Sequence, residues 1–367
     1  MNDNVFQIMV INPGSTSTKL ALFANESVIF TETLRHADAE MAPFANAPML
    51  AQLEFRLEKI LASLRAHEVD MPRLAAVVGR GGLLKPLPSG TYFVNDRMLD
   101  DLRRAERGEH ASNLGAFLAQ RLAEPANCPA FIVDPVSVDE WPPVARLSGL
   151  AGMERECLSH ALNTKAIAKR FAREHGQEYR DLRLIVAHLG SGNSISAHEN
   201  GNMIDVTNSR EEGAFSIERA GTLPVMKVVE RCFSGKYSRQ EIETQIFREG
   251  GVFSYLGTKD LQEVLRRRQA GDENVRLVLA AMIYQISKEI GAMAAALAGQ
   301  VDAILLTGGM AHAFEVVEAL KKRIIWIAPI FIYPGEDEMR ALAEGALRVL
   351  RGAERACNYD EGSVKSN

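Results

Sequence analysis

The sequence is poor in cysteine: Cys128, Cys157, Cys232 and Cys357 stand far apart, with no CxxC pair. That spacing excludes a zinc site of the common ligand pattern and a disulfide framework. Scattered free cysteines suit a reducing, cytoplasmic setting. Strong net charge is missing too, the formal balance being −5 over 367 residues. A general nucleic-acid binder carries a strongly basic face, so no nucleic-acid partner is expected. The opening, Met1-Asn2-Asp3-Asn4, lacks the basic start and apolar run of a signal peptide. The most membrane-like stretch, residues 277–297, holds Lys288 and Glu289 near its middle. Charges there are costly in a bilayer, so a buried helix and no membrane partner are expected. Its Gly291, Ala292, Ala294, Ala295 and Ala296 would let a neighbouring element approach closely. The P-loop pattern GxxxxGK[ST] is absent as well.

What is present is a chain that is 47% hydrophobic, enough for a large core. Single cores stop growing near about 250–300 residues, so two domains are expected. Short apolar runs at residues 5–11, 74–78, 130–133, 184–187 and 303–306 read as strands. Helical spacing marks residues 48–67, most of 95–122 with a break near Gly108, 155–175 and 336–351. A late strand is expected over 324–332, and the tail from Cys357 is polar and expected to fray. The class is α/β. The pattern restarts near Asp181, and both halves open with an apolar strand, a loop of small polar residues and a second strand.

Those loops are where chemistry is expected. Asn12-Pro-Gly-Ser-Thr-Ser-Thr-Lys19 puts backbone amides, the hydroxyls of Ser15 and Thr16 and the charge of Lys19 around one turn. Such a turn can become an anion-binding concavity; the plain alternative is a polar hairpin. His188-Leu-Gly190-Ser191-Gly192-Asn-Ser194 repeats the chemistry, with glycines that admit a close ligand. Thr307-Gly308-Gly309-Met310 follows another strand and would let a flat ligand lie on the backbone. Arg80, flanked by glycines, and Arg219 carry planar forks suited to carboxylate and phosphate. Each is otherwise a surface salt bridge. Asp134, ending Phe-Ile-Val-Asp, faces a magnesium ion or caps the turn before Pro135. Phosphoryl transfer to a carboxylate needs cationic clamps and a metal more than a base, because the acceptor is already a nucleophile. No residue here stands out as a general base.

With these motifs in view, the chain resembles the acetate and butyrate kinase family, its butyrate kinases above all, within the superfamily of acetate and sugar kinases, Hsp70 and actin. The resemblance rests on INPGSTSTKLALF (11–23), VVGRGGLLKPLPSGTYFVND (77–96), GEHASNLG (108–115), FIVDPVSVDE (131–140), SHALNTKAIAKR (159–170), HLGSGNSISAH (188–198), ERAGTLPV (218–225), SYLGTKD (254–260), ILLTGGMAH (304–312) and YPGEDEMRALAEGALRVLRG (333–352). It implies two RNase H-like, actin-like domains around a nucleotide cleft, residues 1–180 and 181–335, with the helix 336–352 joined to the first. It implies transfer of the terminal phosphate of ATP to butanoate, with magnesium, in a homo-oligomer, dimeric or larger. It places Asn12 and Ser15 at the phosphates, Arg80 and Arg219 on the acyl carboxyl and phosphoryl groups, and His188 on the phosphoryl group. His110 becomes a further cleft histidine. Asp134 and Glu336 fall beside magnesium, with Glu338 the rival of Glu336. Gly190, Ser191 and Gly192, with Gly308, Gly309 and Met310, line the nucleotide.

Two departures stand out. A glycine is expected at Ser191 and an apolar residue at Asn193, and the run 207–213 is shorter and more charged than the family's. Acetate, propionate or isobutyrate are alternative acceptors, since one methylene is worth only about 1–3 kcal/mol of discrimination. A nucleotide-gated, non-enzymatic actin-like protein is the alternative outside enzymes; the paired arginines argue against it.

Overall fold

The computed structural model describes residues 5–45, 47–208 and 210–360. It falls into two compact units: one runs to Glu140 and resumes at Asp337, the other spans Trp141–Glu336.

In the first unit, β1 (Gln7–Pro13), β2 (Ser17–Ala24) and β3 (Ser27–Arg35) form an antiparallel meander. β4 (Leu74–Arg80) and β6 (Ala130–Val133) extend it in parallel, and β5 (Thr91–Phe93) closes the far edge, giving the order β3-β2-β1-β4-β6-β5. β1 and β4 are almost wholly apolar because both faces of the sheet are covered. Met9, Ile11, Leu20 and Leu22 pack on the helices Leu53–Ala66 and Leu114–Ala126. The helix Glu338–Leu350 packs along β1, β4 and β6. Between Leu114–Ala126 and β4 the backbones themselves touch: a Cβ on Gly79 would collide with the Gly115 carbonyl, and one on Gly115 with that of Arg80.

The second unit repeats this plan. β7 (Leu184–Leu189), β8 (Asn193–Glu199) and β9 (Asn202–Val206) form a meander, and β10 (Ala303–Gly308) and β11 (Ile330–Pro334) follow in parallel, in the order β11-β10-β7-β8-β9. Ile185, Ala187, Ile304 and Leu306 face the helices Glu273–Ala296 and Phe314–Ile324. Leu184, Val186, Ala303 and Leu305 face the helix Ala161–Glu174. The class is α/β, in two units that share the order of five strands, the first adding β5 at its edge.

Several expectations are corrected. The helix over 155–175 begins only at Ala161. Upstream, Arg155 is pinned by Glu212, Asp205 and the Ala145 carbonyl, which holds its segment irregular. Because Ala161–Glu174 packs on β7 and β10, the boundary lies after Glu140 and not after residue 180. The strand expected from residue 324 starts at Ile330, since Ile324 ends a helix. Helix Glu273–Ala296 is long and apolar enough to cross a membrane by length and composition. It buries one face, through Val278, Met282, Ile286 and Ile290, and leaves Leu277 and Tyr284 exposed. A Cβ on Gly291 would meet nothing within 4 Å among the described residues, so no element exploits it. The tail is anchored through Tyr359: Cys357 exchanges hydrogen bonds with Thr91 and Phe93, and Tyr359 is fully buried.

Candidate active site

In the first unit the candidate residues gather where parallel strands end, the usual place for ligands in open α/β sheets. Asn12 and Arg80 come from the ends of β1 and β4, and Asp134 directly follows β6. Register puts Asn12 opposite Lys19, so both side chains leave the same face of the sheet. The first turn of Glu338–Leu350 delivers Glu338 to that face. Asn12 Nδ2 donates to Glu338 Oε2 at 2.6 Å, and Arg80 Nη1 donates to the same oxygen at 3.1 Å. Arg80 Nη2 pairs with Oε1 at 3.0 Å. The glutamate thus sets a bidentate guanidinium beside an amide, all three at one corner.

The glycines around Arg80 serve packing. A Cβ on Gly81 would strike Pro135, and one on Gly82 would strike Asn113. The strand end is clamped, and Arg80 is held by backbone contacts on several sides.

Asp134 is buried, with a left-handed φ of 38° that is uncommon for aspartate. Its Oδ1 accepts from Ser89 Oγ at 2.6 Å and from Gly90 N–H at 2.8 Å. His110 is exposed; its Nδ1 accepts the Ser112 amide at 3.2 Å and caps the short turn Ala111–Asn113. Ser15 and Thr16 are exposed at the tip of the first turn.

In the second unit His188 is buried near the end of β7, 1% exposed. Its Nδ1 lies 3.0 Å from Asn163 Oδ1, its ring stacks on His160 at 3.9 Å, and its Nε2 lies 3.1 Å from Glu336 Oε1. His160 is held by Ser194, 2.9 Å from its Nδ1. Across the neighbouring loop, a Cβ on Gly192 would come within 2.7 Å of the Arg219 guanidinium, so the missing side chain is what admits the arginine. Ser216 ties the two segments: its hydroxyl donates to the Ser191 carbonyl and accepts the Arg219 amide. Burial pushes the Arg219 guanidinium below its ordinary range, against the opposing charge of Glu218.

The departures from the family pattern now have a local account. Asn193 is buried and closes the loop, accepting the Gly190 amide at 3.3 Å and donating to the Phe215 carbonyl at 3.1 Å. Ser191 has no left-handed backbone, so no glycine is required there. In the charged run, Glu212 pairs with Arg155 at 2.8 Å and accepts the Asn208 amide. Gly308 has φ 88° and backs onto the Leu189 backbone, so it is a packing glycine. Gly309 faces open space, while the Met310 side chain is buried in the core. Sequence reasoning gave no role to Asn163, His160 or Ser216; only their place in 159–170 and beside Arg219 signalled them.

The two expected magnesium-side acids belong to different units. Glu336 stands against His188, and its rival Glu338 is the one that meets Asn12 and Arg80. Magnesium takes one or two carboxylates plus substrate phosphates, all hard oxygens. The Glu338 carboxylate and the Asn12 amide oxygen, which lies 3.5 Å from Arg80 Nη1, offer donors of that kind, as does Asp134. A cavity of about 1020 Å³ in the second unit is lined by Phe215, Ala220, Thr222, Lys227, Arg231 and Tyr255 among others, and by none of the candidate residues. It is therefore not assigned to the phosphate chemistry.

Residues 155–327 match the model of the Acetokinase family. The whole chain is similar in structure to the acetate kinase of Porphyromonas gingivalis, with a TM-score of 0.77, 19% identity, and coverage of 94% of this chain and 100% of that one. A propionate kinase from Francisella tularensis subsp. tularensis gives 0.71 at 16% identity, covering 93% and 98%. The acetate kinase of Entamoeba histolytica gives 0.74 at 12% identity, covering 92% and 98%. The chain therefore has the two-unit fold of acetate and propionate kinases, and residues 155–327 carry the sequence pattern of the Acetokinase family.

Proposed function

We propose that the protein is a carboxylate kinase that transfers the terminal phosphate of ATP to a short-chain acid, with butanoate the acceptor, in the cytoplasm and as a homo-oligomer. The observation that carries the reading is that each unit fixes side chains suited to anions, Arg80 and His188 near strand ends and Arg219 on a loop. Arg80 is fixed by Glu338 in one unit, and Arg219 and His188 are fixed by Gly192 and Asn163 in the other. The Acetokinase match over 155–327 supports the same chemistry.

In this reading a carboxylate oxygen of the acid attacks the terminal phosphorus. An oxygen–phosphorus bond forms, the bond to the bridging oxygen breaks, and ADP leaves. No proton has to move, which suits a site with arginines and no evident base. Arg80 and Arg219 offset charge on the carboxylate and on the equatorial phosphoryl oxygens. His188, held through Nδ1 by Asn163, turns Nε2 from Glu336 to one of those oxygens. Magnesium, when bound with the nucleotide, neutralises phosphate charge and aligns it; Glu338, Asn12 and Asp134 are the residues that would hold it or its waters.

Acetate or propionate as acceptor is the second reading, and the similar structures named acetate and propionate kinase support it equally. Hydroxylamine trapping of acyl phosphate, over straight and branched acids of two to six carbons with magnesium ATP, tests both. A maximum at four carbons is expected. A maximum at two or three would rename the substrate, and no product with any acid would remove the kinase reading. Light scattering in solution checks the assembly, where a monomer mass would remove the homo-oligomer.

A further inference from the structure

Beneath the Asn12–Lys19 turn lies a charge that the mechanism above does not use. Arg56, on the helix Leu53–Ala66, is 0% exposed. Its Nε and Nη2 donate to Gln52 Oε1 at 3.0 and 2.8 Å. Its Nη1 donates to the Ser17 carbonyl at 3.1 Å and to Thr18 Oγ1 at 2.9 Å, and Nη2 reaches the Ser15 carbonyl at 3.3 Å. Five N–H directions are used, and every acceptor is neutral. Buried charges are normally paired, so an arginine whose five hydrogen bonds go to four neutral acceptors is an unusual choice for packing alone. Burial pushes its guanidinium down to about 10, which still leaves it protonated at neutral pH. The nearby Glu40 is taken by Lys59 at 2.7 Å.

The hydrogen bonds also orient the turn. Three successive carbonyls point inward: Ser15 to Arg56, Thr16 to the His36 amide at 2.9 Å, and Ser17 to Arg56 and the Gly14 amide. No peptide bond among the described residues is cis. A trans peptide sets its N–H opposite its C=O, so the Thr16 N–H points away from Arg56. The amides of Ser15 and Thr16 donate to no group among the described residues.

We propose that Arg56 is a positioning residue of this turn, holding it from behind with the Thr16 amide turned outward and lending it a positive charge that a phosphoryl group on the front face offsets. The proposal rests on the reading that the turn receives a phosphoryl group. The Ser15–Thr16 peptide then lies between cation and anion, with its dipole aligned to both.

The test uses the full chain and inorganic phosphate as probe. The phosphate response of the Thr16 amide resonance is followed by ¹⁵N NMR. The unfolding midpoint is titrated with phosphate against chloride at matched ionic strength. Phosphate should shift the Thr16 resonance and raise the midpoint. Arg56→Gln should weaken the apparent phosphate affinity about tenfold, and Arg56→Lys, which keeps the charge, should weaken it less. A folded Arg56→Gln protein that binds phosphate like the parent overturns the proposal. If Arg56→Gln does not fold, a Thr16 resonance in the parent that ignores saturating phosphate overturns it just as well. Acyl phosphate formation by the parent is assayed alongside. Its absence, with a phosphate response that depends on Arg56, removes the kinase reading and leaves Arg56 its role; product with a response indifferent to Arg56 does the reverse.

Discussion

At the scale of single residues, the candidate site depends on side chains that others hold still. Arg219 is half-buried and seated against Gly192. Arg219→Ala should lower turnover at least about a hundredfold, as loss of one charge-stabilising group commonly does. A cooperative melt with turnover near the parent's would mean that the arginine does not touch the reacting groups. Gly192→Ala is the subtler test. Its new Cβ would lie 2.7 Å from the end of a flexible side chain. Stability should change little while turnover falls, because the guanidinium moves and the fold does not. A thermal melt and a hydroxylamine assay on the same preparation separate the two effects. His188 is legible in sequence as a strand-end histidine before small residues. Its support from Asn163 and His160 is not, since both come from another part of the chain, one in the first turn of the helix Ala161–Glu174 and the other just before it.

At the scale of elements, two contacts set the geometry of the first unit. One is the backbone approach of Leu114–Ala126 to the end of β4. Gly115→Ala would press a methyl group onto the Arg80 carbonyl with rigid backbone on both sides. A loss of about 3 kcal/mol is expected, together with lost activity, read by urea unfolding and by assay. The other is the seat of His36 beside β2, where its Nε2 lies 3.0 Å from Thr18 Oγ1. Burial first, then the charges of Arg56 and Lys59, push this imidazole from 6.5 down to about 4. Between those values the unfolded chain binds a proton that the native state refuses. Stability is therefore full above about pH 6.5 and declines as pH falls toward 4, by at most about 3 kcal/mol. Urea unfolding at pH 7 and pH 4.5 should show the decline in the parent and a smaller one in His36→Gln. An equal decline in both would mean the histidine titrates normally. The elements themselves were largely readable, because alternating and helical spacings mark what each segment buries. The exceptions have physical causes: Arg155 pins residues that helical spacing would have wound, and Tyr359 anchors a tail whose composition reads as loose.

At the scale of the whole molecule, the candidate residues are divided between two units that share the order of five strands, and the arginines are divided with them. The span Trp141–Glu336 has its own sheet and core. Expressed alone, residues 141–336 should melt cooperatively by circular dichroism and form no acyl phosphate, since Arg80 is missing; product from that fragment would contradict the role given to Arg80. The sequence by itself determined the α/β class, the repeat of strand, polar loop and strand, and the residue types that phosphate chemistry needs, because these follow from local periodicity and from side chains adjacent in the chain. Only the tertiary structure decided where the units divide, that Glu338 and not Glu336 joins Asn12 and Arg80, that the glycines around Arg80 serve packing, and that a buried Arg56 lies beneath the first turn. Each of those facts depends on which distant residues share a sheet face, and that is settled by strand register and helix packing, which no local pattern encodes.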